Sequence, residues 1–145
     1  MTKKKELISI LEEFPLILRS EINKLSKQEL DKVVVMWTVR KIIHHIADSH
    51  LNLFIRIKIA LTEENPTIKT YDQEKWAELA DYDGPIEGSI NIINAIHERI
   101  VIILKGLKEN DWEKTLYHPE LGKLTLLECV KIFADHGEGH LSKIR

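Results

Sequence analysis

Backbone punctuation constrains this chain more than any other feature: its 145 residues include only six glycines and four prolines. A sandwich or barrel of many short strands needs far more turn residues than that. Long stretches with apolar residues at helical spacing run in their place. In Glu6–Leu25 these are Leu7, Leu11, Phe14, Leu18, Ile22 and Leu25. Pro15 lies inside the stretch and is expected to kink it, because its missing N–H and its ring both oppose the preceding turn. Thr38 can N-cap a second helix over Val39–Leu61. Asp83-Gly84-Pro85 is a turn into a third, Ile86–Leu107, with Ile86, Ile90, Ile93, Ile100, Leu104 and Leu107 on one stripe. Thr125-Leu-Leu-Glu128 is a capping box that opens the last, Leu126–Ile144.

Shorter pieces fill the connections. Ser26-Lys-Gln-Glu29 is another capping box, starting a short helical turn. Asn65-Pro66 marks a loop, and Asp72 can cap a short helix carrying Trp76 and Leu79. The segment Thr115–Thr125 reads as a small turn or hairpin around Pro119 and Gly122. The expectation is therefore an all-α protein: one domain over residues 1–145, a four-helix bundle with a cross-connection.

Composition closes off several function classes. The chain is 43% hydrophobic and 30% charged, which suits a folded domain with a core. Basic and acidic residues number 21 and 23 for a net charge of −2, and no basic stripe offers a nucleic-acid footprint. The longest apolar runs, Val33–Trp37 and Ile100–Leu104, are five residues each, too short for a membrane span. Lys3-Lys-Lys5 has the charge of a secretory leader, but Glu6, Glu12 and Glu13 interrupt any apolar segment, so no signal peptide is expected. The single cysteine, Cys129, excludes an internal disulfide and fits a cytoplasmic location.

Histidine is over-supplied: seven residues, at 44, 45, 50, 97, 118, 136 and 140. His136-Gly-Glu-Gly-His140 puts two imidazoles four residues apart, on one face of a helix and near enough to share a metal. The ordinary alternative for such a pair is surface or hydrogen-bonded histidine. Gly137 and Gly139 are each unfavourable in a helix by about 1 kcal/mol, so either something packs close to them or the helix frays there. A zinc protease motif is ruled out, because position 137 is Gly and Glu138 lies about 200° around the helix from His136.

A three-histidine metal site needs a third ligand from another helix. On the second helix the apolar stripe centres near Val39, Ile43, Ile46 and Ile57, and His50 falls close to that centre with His44 and His45 on opposite flanks. Periodicity thus nominates His50, as a buried hydrogen-bonded residue or as a ligand. Cys129 lies on the same flank of the last helix as His136 and His140, where it reads as a metal neighbour, a nucleophile or a small buried hydrophobe. Asp48 and Asp135 could accept from a ligand N–H, or belong to solvated helix faces.

The stretch Trp37-Thr-Val-Arg-Lys-Ile-Ile-His-His-Ile-Ala-Asp-Ser-His50 resembles the signature of the DinB superfamily, in its YfiT-like branch of metal-dependent hydrolases. The likeness continues through Phe54–Asp72 and Trp76-Ala-Glu-Leu79, then resumes at Tyr117-His-Pro119 and at His136-x-x-x-His140. It departs at Val33-Val-Val-Met36, where relatives carry a polar loop with glycine, and at Gly137-Glu-Gly139, which is richer in histidine elsewhere in the family. The resemblance implies a four-helix bundle holding one Zn²⁺ or Ni²⁺ through His45, His136 and His140, in place of the His50 that periodicity favours. It also implies a homodimer.

Three functions follow from that likeness. In the first, three neutral histidines leave open positions on a metal that activates water, and the protein hydrolyses a small molecule. His50, Asp48 and Tyr117 are then the polar candidates for catalytic work near it. In the second, the metal binds the sulfur of a low-molecular-weight thiol of the bacillithiol type and the protein is an S-transferase. In the third, the metal is structural in a non-catalytic stress protein. His44, His97 and His118 are expected at the surface or in hydrogen bonds, with His118 at the pocket rim.

Overall fold

The computed structural model describes residues 3–145. Four long helices carry the molecule: α1 (Lys3–Asn23), α3 (Val39–Thr62), α5 (Glu87–Lys105) and α6 (Leu126–Ile144). Between them lie the one-turn helices α2 (Lys27–Leu30) and α4 (Gln73–Trp76), the hairpin β1 (Val33–Val34) and β2 (Trp37–Thr38), and the hairpin β3 (Thr115–His118) and β4 (Gly122–Thr125). Two 3-10 turns, Ala80–Asp83 and Glu109–Glu113, complete the connections.

Local chemistry sets the boundaries. Ser26 and Thr125 each close a reciprocal capping box, with Glu29 and Glu128. Thr38 and Asp72 accept the backbone N–H groups of Lys41 and Lys75. Leu79, expected on the short helix with Trp76, falls just beyond it. The second hairpin pairs Thr115 with Thr125 through to His118 with Gly122, and Gly122 takes φ +82°, a conformation open to glycine.

Around the bundle the helices run α1, α5, α3, α6 and back to α1. Helices α1 and α3 are therefore diagonal, and so are α5 and α6. Crossing a diagonal requires long connectors, which residues 24–38 and 106–125 supply. The core falls into two clusters. One gathers Leu7, Leu11, Leu53, Ile57, Ile100 and Leu126; the other gathers Phe14, Leu18, Ile43, Ile46, Ile93 and Leu141.

Helix α1 passes unbroken through the buried Pro15. Proline has no N–H, so the carbonyl four residues earlier, at Leu11, lacks its usual helical donor. His97 of α5 fills that role: its Nδ1 lies 2.7 Å from the Leu11 oxygen. No described helix is long and apolar enough to cross a membrane.

Candidate metal centre

The site lies between the neighbouring helices α3 and α6. His136 and His140 sit one turn apart on α6, and Gly139 between them leaves open space. Gly137 is a point of close approach: a Cβ there would lie 3.2 Å from Phe14 Cε2 and 3.3 Å from His50 Cε1. The helix does not fray at these glycines; it continues to Ile144.

From α3, His45 brings its ring edge-on to that of His140, with centroids 4.8 Å apart. His136 is exposed at the mouth, with its ring centred 6.4 Å from that of His140. Trp37, at the start of β2, packs its indole edge-on against His45 at 5.0 Å. The Nδ1 atoms of His45 and His140 are buried without a hydrogen-bond partner. Burial is also the main reason both imidazoles are pushed down to about 4, so both rings are neutral and keep a lone pair near neutral pH.

An orphaned, neutral, buried imidazole nitrogen on each of two adjacent helices suits a borderline divalent cation. The three histidines do not form a closed cluster: among the described residues, no group of three or more His, Cys, Asp or Glu stands ready to hold a metal.

The cavity has two lobes, which share His45, His136, Gln73 and Glu74. One, of about 420 Å³, is walled by Val34, Val35, Met36, Trp37 and Ile42. The other, of about 780 Å³, is lined by polar groups that include Ser49, Arg56, Tyr71 and His118. A small recess of about 80 Å³ adjoins it beside Arg56, Cys129 and Phe133. Glu74 stands where the lobes meet and reaches both.

The other histidines are tied into the protein. His50 is 2% exposed and lies behind the site. A carbonyl can only accept, so His97 donates from Nδ1 to Leu11, accepts at Nε2, and receives the Nδ1–H of His50 over 2.6 Å. The same logic makes His44 donate from Nε2 to the Gly84 carbonyl at 3.0 Å and accept from Ser89 at 2.6 Å. His118 accepts two backbone N–H groups, from Glu120 and Leu121, at the cavity wall.

Of the remaining sequence candidates, Asp48 accepts the Tyr82 hydroxyl at 2.7 Å and lines neither lobe. Tyr117 is 49% exposed on β3, also outside both lobes. Asp135 pairs with Lys131 on a solvated face. Cys129 is buried, and burial pushes its thiol up to about 11, so it is a neutral thiol and no nucleophile at neutral pH. Sequence reasoning passed over Arg56, Ser49, Tyr71 and Glu74. Spacing held a signal for the first two, since positions 45, 49 and 56 fall within about 40° of one another on a helix.

A bundle of this order, with imidazoles converging from two adjacent helices onto a cavity, defines a helical protein built around a histidine site. Residues 11–144 match the model of the DinB superfamily, and the chain belongs to that superfamily. A protein of Oceanobacillus iheyensis named "Putative metal-dependent hydrolase" is 45% identical over 141 residues, covering 96% of this chain and 82% of the relative. A Bacillus cereus protein of the same name is 43% identical over 139 residues, covering 94% of this chain and 80% of the relative. Among solved structures, YfiT from Bacillus subtilis superimposes with a TM-score of 0.94 at 33% identity, covering 99% of this chain and 86% of YfiT. It is described as a probable metal-dependent hydrolase with an unusual four-helix bundle topology.

Proposed function

We propose that the protein is a metal-dependent hydrolase in which His45, His136 and His140 hold one divalent ion, zinc or nickel. The observation that carries this reading is the pair of partnerless, buried ring nitrogens on His45 and His140 at the floor of one cavity. A buried polar atom without a partner costs about 1–3 kcal/mol, and a metal bond would remove that cost at both nitrogens together. His136 completes the set from the open side, where substrate enters. The names carried by the Oceanobacillus and Bacillus relatives support the same reading.

When bound, the ion would act as a Lewis acid that lowers the pKa of water and polarises the bond to be cut. The chain supplies the surroundings. Trp37 and Ile42 exclude bulk water on one side of the histidines. Glu74, which lines both lobes, would be the carboxylate to take a proton from an attacking water.

Elemental analysis of the purified protein tests the assignment. About one zinc or nickel per chain is expected, falling to background in His45→Ala and His140→Ala, with hydrolysis of an ester or amide panel lost in parallel. Unchanged metal content in both variants would overturn it.

A further inference from the structure

Arg56 is the feature that the metal centre leaves unexplained. It lies on α3 eleven residues beyond His45, within about 20° of the same helix face and about three turns along it. The residue is 7% exposed. Its Nη2 reaches the Lys69 carbonyl at 3.3 Å, its Nε is buried with no partner, and its guanidinium lies over the Phe133 ring at 5.5 Å. No carboxylate comes within ion-pair distance of it among the described residues. The acids of the larger lobe, Asp72, Glu74 and Glu120, are exposed, and Asp72 is engaged with Lys75.

A buried guanidinium without a counter-charge is costly in a folded protein unless something supplies the charge. The recess beside Arg56 indicates what that is. Its walls include Leu116, Leu124, Ile132 and Phe133, with His118 and His136 toward the metal centre; Arg56 is its one guanidinium or ammonium group, and no carboxylate lines it. At about 80 Å³ it suits a group of a few atoms. One guanidinium neutralises one negative charge, so a monoanion is matched and a dianion would be buried with half its charge unpaired. The planar guanidinium also fits the two oxygens of a carboxylate.

We propose that Arg56 is the anchor for a substrate carboxylate, and that the hydrolysed molecule is an ester or amide with an apolar group on one side of the scissile bond and a carboxylate on the other. The apolar group occupies the lobe of Val34, Val35, Met36 and Trp37. The carboxylate enters the recess at Arg56, and the bond to be cut lies at the junction beside His45 and His136. This assignment of substrate class rests on the hydrolase reading of the same cavity.

Binding to metal-stripped protein separates the two. The probes are butanoate, the neutral butanamide and inorganic phosphate, measured by thermal shift and calorimetry on the wild type, Arg56→Met and Arg56→Lys. Butanoate is expected to stabilise the wild type, butanamide to have no effect, and phosphate to bind more weakly than butanoate. Butanoate affinity is expected to fall about tenfold or more in Arg56→Met and to recover partly in Arg56→Lys. With no substrate present, Arg56→Met is expected to melt at or above the wild-type temperature, since it removes an uncompensated buried charge.

Equal butanoate binding in wild type and Arg56→Met, or none in wild type, would overturn the anchor. Tighter binding of phosphate would overturn the carboxylate. Collapse of Arg56→Met together with wild-type stability but no butanoate binding in Arg56→Lys and in the wild type would make Arg56 a structural cation only. Metal content of the same variants is read separately. In the wild type, absence of bound metal with butanoate binding intact would sink the hydrolase reading alone, and bound metal without butanoate binding would sink this inference alone.

Discussion

Two glycines in one turn of α6 do opposite work. Gly137 faces inward, where a methyl group would press against the Phe14 and His50 rings at 3.2 and 3.3 Å, and Gly139 faces the open cavity. Alanine at 139 is therefore expected to gain about 1 kcal/mol of helix propensity without a clash. Alanine at 137 has to displace an aromatic ring, and its net effect is a loss. Melting curves should rank Gly139→Ala above wild type and Gly137→Ala below it; a gain at 137 would show that Phe14 yields freely. At the same scale, Glu74→Gln keeps the shape of the junction and removes the proposed proton acceptor. It is expected to lower kcat about a hundredfold while metal content is unchanged. Equal kcat in the variant would remove Glu74 from the chemistry.

At the scale of elements, caps and turns were legible because they are local. Ser26, Thr38, Asp72 and Thr125 all cap where their side chains suggest, and the strand pairing around Gly122 follows its turn residues. The i, i+4 spacing likewise brings His136 and His140 to one cavity. The position of His45 was not readable from periodicity. Nearly the whole first half of α3 turns inward, with His44, His45 and His50 all buried, so no single face stands out. Nor could the sequence show that the partner of His50 is His97, 47 residues away, or that Pro15 leaves a carbonyl for it. That relay ties α1, α3 and α5 together, and its only titratable members are His50 and His97. Burial holds His97 down at about 4 against an ordinary 6.5, with the Leu11 carbonyl pulling weakly the other way. The unfolded chain therefore takes up the proton first: stability is complete above pH 6.5 and erodes as pH falls toward 4, by about 3 kcal/mol from this residue. Denaturant titrations across that range should give a shallower pH dependence for His97→Gln than for wild type. Parallel curves would show that His97 is not the source.

Across the whole molecule, the two-lobed cavity exists because α3 and α6 are neighbours in space while α5 intervenes between them in sequence. The apolar lobe is closed by the β1–β2 hairpin and the polar lobe by the loop before α4 and the second hairpin, so each connector long enough to cross the bundle also serves as a wall. That economy has a kinetic consequence. Only α3 and α5 are long helices both consecutive in the chain and packed side by side; the α1–α6 contact joins the two ends of the described chain. Loop-closure entropy favours the nearer pair as the folding nucleus, with α1 and α6 docking later. Ile93→Val in α5 is then expected mainly to slow refolding, and Leu141→Ala in α6 mainly to hasten unfolding, as stopped-flow chevrons would show. The reverse pattern would place the nucleus at the termini. If α6 docks last, His136 and His140 reach His45 only as folding ends, and the route to the native state passes through a chain whose proposed metal ligands are still on separate, unjoined pieces.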